Sequence, residues 1–132
     1  MPLIQWDQRL RVEVRQCDDQ HRRLMELMND LYDSLCNGRG RGVVGSFRST
    51  VALLKKHCSD EEKLMQTYGY PEFHEQQAAH RLMVIEVNNL LNQCKTGGLL
   101  AVSVQNFLKR LECHILGDDK KYGVFLNSKG VY

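Results

Sequence analysis

Proline, long apolar runs and a charge excess of one sign are all scarce in this chain, and each scarcity removes a class. Only two prolines, Pro2 and Pro71, occur in 132 residues, which leaves long stretches free to run as uninterrupted helix. No apolar run nears the roughly 20 residues that a membrane-spanning helix needs. The opening Met1-Pro2-Leu3-Ile4-Gln5-Trp6-Asp7 lacks a basic region followed by an apolar one, so no signal peptide is read there. With 18 basic and 16 acidic side chains the formal charge is +2, which is no electrostatic footprint for nucleic acid. The cysteines Cys17, Cys36, Cys58, Cys94 and Cys113 include no Cys-x-x-Cys pair, so neither a zinc knuckle nor a thioredoxin-type motif is present. Buried, reduced thiols in a cytoplasmic protein are the expectation.

Hydrophobic residues make up 42% and charged residues 26%, the balance of one ordinary domain with an adequate core. Four segments place apolar residues at helical spacing. His21, Leu24, Met25, Met28, Leu31, Tyr32 and Leu35 form the first stripe, ending at Asn37-Gly38, a fitting helix stop. The second stripe runs Phe47, Val51, Leu54, Cys58, Glu61 and Met65, with Gly69 behind it. Pro71 then sits where a third helix begins, in the first turn that tolerates it. His80, Met83, Val84, Val87, Leu91 and Cys94 make the third stripe, stopped by Gly97-Gly98. Val104, Phe107, Leu108, Leu111, His114 and Ile115 make the fourth, stopped at Gly117. Four amphipathic helices with short connections predict an all-α, up-down-up-down four-helix bundle. The expected division is a single domain over 1–132. An extended N-terminal arm spans 1–16, with Trp6, Leu10, Val12 and Val14 packed across the bundle. The bundle covers about 17–118, and a weakly determined tail covers 119–132.

Between the first two stripes, Gly40-x-Gly42-x-x-Gly45 matches a dinucleotide fingerprint formally. That motif needs a preceding strand and a βαβ unit. A helix precedes it here, so it reads as a solvated basic loop.

Each of the four apolar stripes carries one histidine: His21, His57, His80 and His114. Glu61 follows His57 by four residues, which sets the two on one helical face, one turn apart. Asp119 follows the stop at Gly117, where a less regular backbone could return a carboxylate to the core. One histidine on such a stripe is ordinarily a satisfied core residue. Four of them turned inward with two carboxylates are hard to assign to packing, because buried imidazoles and carboxylates are costly unless paired or metal-bound. Imidazole with carboxylate suits iron, and also zinc, copper or manganese. The ferritin-like pattern of Glu-x-x-His is missing, since no glutamate precedes a histidine by three.

Asp18-Asp19-Gln20-His21-Arg22-Arg23-Leu24, His57-x-x-x-Glu61-Glu62-x-Leu64-Met65, Gly69-Tyr70-Pro71 with His80 downstream, and His114-Ile115-x-Gly117-x-Asp119-x-x-Tyr122 form an ordered set. From Trp6 to Tyr122 the chain resembles the hemerythrin family in its single-domain bacterial form. The resemblance implies two iron ions in an oxo- or hydroxo-bridged non-haem centre inside the bundle. One iron would take His21 and His57, and the other His80 and His114, with Glu61 and Asp119 bridging. It implies molecular oxygen as the ligand, bound at the two-histidine iron, and a role as carrier, store or supplier to an oxygen-consuming enzyme.

One position departs. The family carries a histidine four residues before the one matched by His80, and here Gln76 stands there. A glutamine carbonyl is a weaker, harder ligand than imidazole, so water could complete the second metal and leave open positions at both. Gln76 is kept among the metal-site residues on that basis. It also raises two alternatives: turnover of peroxide or nitric oxide, and oxygen or redox sensing. His74 lies six residues before His80, roughly 120° around the helix, and is expected on the surface. Tyr122 is expected beside the centre or in packing, Cys58 and Cys113 in packing, and Glu62 as a solvated partner of a lysine or, alternatively, as support to the metal shell.

Overall fold

The computed structural model describes residues 4–38 and 42–132. The signal-peptide reading on Met1 to Leu3 and the Arg39 to Arg41 part of the glycine-rich loop lie outside the described residues. Five helices follow one short 3-10 turn at Gln8–Leu10: α1 (Arg15–Cys36), α2 (Val44–Tyr68), α3 (Phe73–Lys95), α4 (Ala101–His114) and α5 (Lys120–Ser128). A π-helical turn, Ile115–Asp119, joins α4 to α5. Helix α1 packs on α2 and α4, and α3 packs on α2 and α4, closing the expected four-membered bundle.

The stops follow the chemistry of the sequence. Gly69 caps α2 in the left-handed conformation (φ 69°, ψ 43°), and the Tyr70 N–H reaches back to the Met65 carbonyl at 2.9 Å. Gly97 (φ 78°) ends α3 in the same manner, with the Gly98 N–H on the Gln93 carbonyl at 2.9 Å. A side chain is disfavoured at both positions. Pro71 lies just outside α3, which starts at Phe73 after Glu72. The proline therefore shapes the turn and does not occupy the first helical position.

Two expectations need correction at the C-terminal end. The fourth helix does not stop at Gly117, because the backbone continues through the π-turn into α5. Residues 120–128, placed in the tail, form that helix, with Tyr122, Gly123 and Leu126 buried. Gly123 faces the Val12 backbone so closely that an added Cβ would lie 3.0 Å from the Val12 Cβ and clash with the Val12 carbonyl. The arm matches the reading in its packing: Leu10, Val12 and Val14 are buried and Trp6 is half-buried. Its 3-10 turn rests against the π-turn. The core otherwise consists of the expected stripes, including Phe47, Leu54, Met65, Phe107 and Leu111. Each fully buried large side chain contributes about 1.5–3 kcal/mol. Three cysteines are buried, but Cys36 and Cys113 are exposed, and all five are free thiols.

Candidate metal centre

All four stripes deliver their histidines to one buried cluster. His21 is fully buried, His57 and His80 are each 2% exposed, and Glu61 and Asp119 are 0% and 1% exposed. The His114 side chain retains 8% exposure. Glu61 Oε1 lies 3.0 Å from His57 Nε2 and 3.2 Å from His80 Nε2. Asp119 reaches both sides as well, with Oδ2 3.1 Å from His21 Nε2 and Oδ1 3.1 Å from His114 Nε2. The two carboxylates thus stand between the His21–His57 pair and the His80–His114 pair. Two donor groups result, His21–His57–Glu61–Asp119 and His80–His114–Asp119, each with its ligating atoms within 4.8 Å of one another.

The π-turn explains how Asp119 arrives. On an α-helix, five steps turn about 500°, which would leave Asp119 some 140° from His114. The wider i→i+5 turn brings the two onto one side. Sequence reasoning placed the carboxylate in the core through a helix stop, but an unbroken, widened helix puts it there.

Outer partners fix the orientation of three rings. The His57 Nδ1 lies 2.6 Å from Gln20 Oε1, an acceptor only, so the ring donates from Nδ1. His80 Nδ1 lies 2.9 Å from Glu62 Oε2, and His114 Nδ1 lies 3.0 Å from Asp118 Oδ2. With Nδ1–H bound outward, each Nε2 turns a lone pair inward, the tautomer a metal requires. Glu62 is therefore a partner of His80 and not of a lysine, which favours the second of its two expected roles. Gln20 and Asp118 were not singled out from sequence. Asp118 had a usable signal, since it stands four residues after His114.

The cluster's hydrogen bonding does not close. His21 Nδ1 and Nε2, His80 Nε2, His114 Nε2, both Glu61 oxygens, Asp119 Oδ2 and Gln76 Oε1 are buried with no hydrogen-bond partner. Buried polar atoms are ordinarily satisfied. Acceptor atoms gathered around one space need cations between them, either metal ions or protons. This donor set, imidazole nitrogen with carboxylate oxygen, fits iron among the transition metals. Without a metal, protons take the role. Burial works against charge on His80, yet Cys58 and Glu61 beside it raise its pKa to about 11. Burial likewise opposes charge on His21 and His114, and the Asp119 carboxylate overcomes it, holding both above the usual imidazole range. Burial and Asp119 push Glu61 up, but His57 and His80 outweigh them and lower its pKa to about 2.

Gln76 is 3% exposed and its Nε2 donates to Asp119 Oδ1 at 3.0 Å. It thus borders the cluster on the His114 side and braces the shared carboxylate. His74 is exposed and stacks edge-on with Phe73, apart from the cluster. Tyr122 is fully buried, and its hydroxyl donates to the Glu61 carbonyl at 3.3 Å. It touches the backbone of a cluster residue from the outside. Cys58 is buried, and burial pushes its thiol pKa up; Cys113 is exposed.

The profile of the Hemerythrin HHE cation binding domain matches residues 12–126. The chain belongs to the hemerythrin family. A bacteriohemerythrin of Stenotrophomonas maltophilia is 28% identical over 123 residues, covering 92% of this chain and 80% of that protein. One of Pseudomonas aeruginosa is 25% identical over the same span. A crystal structure of a hemerythrin point variant superposes with a TM-score of 0.88 at 25% identity, covering 96% of this chain and 98% of its own. The inward histidines and two carboxylates are the groups of this bundle that could hold a metal ion. No helix among the described residues is long and apolar enough to cross a membrane.

Proposed function

We propose that this hemerythrin domain holds two iron ions at the cluster and binds molecular oxygen there. It would act as a carrier or store of oxygen, or as its supplier to an oxygen-consuming enzyme. The observation that carries the reading is the set of buried, unpartnered donor atoms converging from four helices and the π-turn. His21 and His57 would hold one ion, His80 and His114 the other, with Glu61 and Asp119 shared between them. Two ferrous ions, when bound, supply the two electrons that oxygen takes reversibly.

The chain's own residues do the rest. Gln20, Glu62 and Asp118 keep three imidazoles aimed inward from their Nδ1 atoms. Leu24, Met25, Met28, Leu54 and Ile115, each at most 1% exposed, keep bulk water from the bundle core. Exclusion of water limits the loss of electrons to solvent-assisted side reactions. A second reading, turnover of peroxide or nitric oxide, is favoured by Gln76, which offers a weaker donor than imidazole where the second ion would sit.

Anaerobic reconstitution with ferrous iron, followed by metal counting and optical spectra before and after air, tests the reading. Two irons per chain and a visible band that fades on deoxygenation are expected. One iron or none, or direct conversion to a fixed ferric spectrum, would remove reversible oxygen binding.

A further inference from the structure

A cavity of about 70 Å³ lies between the start of α3 and the π-turn, lined by Tyr70, Glu72, Glu75, Gln76, Asp118 and Lys121. Its wall runs from solvent to core: Glu75, Asp118 and Lys121 are exposed, whereas Tyr70 and Gln76 are buried. Gln76 is also the residue whose Nε2 holds Asp119 and whose Oε1 has no partner. The cavity thus ends on Gln76, which braces a carboxylate of the cluster and carries a buried oxygen without a partner.

Size and charge decide what fits. One water needs roughly 10–15 Å³ of such space, so the cavity takes a few water-sized groups and no organic substrate of ordinary dimensions. Glu72 is tied to Lys121, with Lys121 Nζ 2.8 Å from its carboxylate. Glu75 has no cation partner among the described ion pairs, and Asp118 is paired only with His114, at 3.0 Å. An anion entering here meets a surplus of carboxylate charge, while an uncharged molecule does not.

We propose that this cavity is a passage to the Gln76 side of the cluster, selective for small uncharged polar molecules, water and hydrogen peroxide, over small anions. It rests on the proposed metal centre for its function but not for its existence. A histidine in place of Gln76 would put a ring on this path, so the substitution that weakens the donor set also opens the approach.

Two measurements separate the passage from the metal reading. In metal-free, nitrogen-15-labelled protein, the Gln76 side-chain amide exchanges with water within seconds at about pH 8 by saturation-transfer NMR, and Glu75→Trp slows this at least tenfold. An amide protected for hours in the unsubstituted chain overturns the passage, whether or not metal binds. In iron-loaded protein the probes are azide, bound to the ferric form, and hydrogen peroxide, reacting with the ferrous form. In that reaction each of two ferrous ions gives one electron, the O–O bond breaks, and two protons complete two waters. Glu75→Lys is expected to speed azide association roughly tenfold and change the peroxide rate less than twofold. The same charge change at Glu26, on the exposed face of α1, leaves both rates unchanged. Equal azide rates in the Glu75→Lys and Glu26→Lys proteins overturn the selectivity. Failure to load iron alongside rapid amide exchange overturns the metal reading and leaves the passage standing.

Discussion

The two halves of the cluster have the same imidazole count but different surroundings. On the His21–His57 side, the outer partners are the neutral Gln20 for His57 and none for the Nδ1 of His21. On the His80–His114 side both rings donate to carboxylates, Glu62 and Asp118. Carboxylate partners make imidazole a stronger donor. The half that has glutamine where the family has a third histidine is thus the half with anionic support. Its charge comes from the outer layer.

The comparison is broken most severely by removing what the halves share. Asp119→Ala strips a donor from both, and metal affinity is expected to fall more than about a hundredfold in each; metal analysis after gel filtration reads this. Glu62→Gln removes anionic support from one half only. It should weaken the second metal about 10- to 100-fold and leave the first within about threefold, which stepwise titration with ferrous or cobaltous ion resolves. Gln76→His supplies an imidazole to that half and narrows the gap. The second metal should bind about tenfold more tightly, and the air-induced visible band should last longer. Equal lifetimes in the two proteins would remove Gln76 as the weak point.

The pH response sharpens the contrast between metal and proton as the filling cation. In the metal-free chain, His80 keeps its proton up to about pH 11 when folded but releases it near 6.5 when unfolded. That stability is complete below pH 6.5 and is lost as pH rises toward 11. Glu61, lowered to about 2, contributes stability above its usual pKa that is lost as pH falls toward 2. Metal-free protein should therefore melt highest near pH 5–6 and lower at pH 9. Metal-loaded protein should show the reverse over that interval, because acid returns protons to the ligands. Melting curves at pH 5.5 and 9 for both forms test the crossing. The smallest effect is expected from Tyr122→Phe, which loses the bond to the Glu61 carbonyl, costing about 1 kcal/mol, or roughly 3–5 °C in Tm.

The parts of this centre that lie on a single regular helix were legible in the sequence. His21, His57, Glu61 and His80 follow from a period of 3.6 residues, and Gly69 and Gly97 mark their helix ends as read. Asp119 was legible only as a motif, because Gly117 resembles a stop and nothing local announces a π-turn. Helix α5 escaped for a related reason: its buried face is Tyr122, Gly123 and Leu126, too short a stripe to register. Glu62 stayed between two roles because its partner depends on how α2 meets α3. A charged residue beside a ligand reads as solvated until the neighbouring helix is in position.

The close approach of Gly123 to Val12 bears on how the chain assembles during synthesis. The arm is made first and α5 nearly last, yet Asn127 Nδ2 bonds the Glu13 carbonyl at 3.0 Å across 114 positions of sequence, and Gly123 admits the Val12 backbone. The arm cannot reach its seat until almost the whole chain has been made. Until then the π-turn lacks its covering layer, so the last carboxylate and the first strap arrive together. A larger residue at 123 would keep the arm off this surface, and the newly made bundle would be left with its seam unclosed.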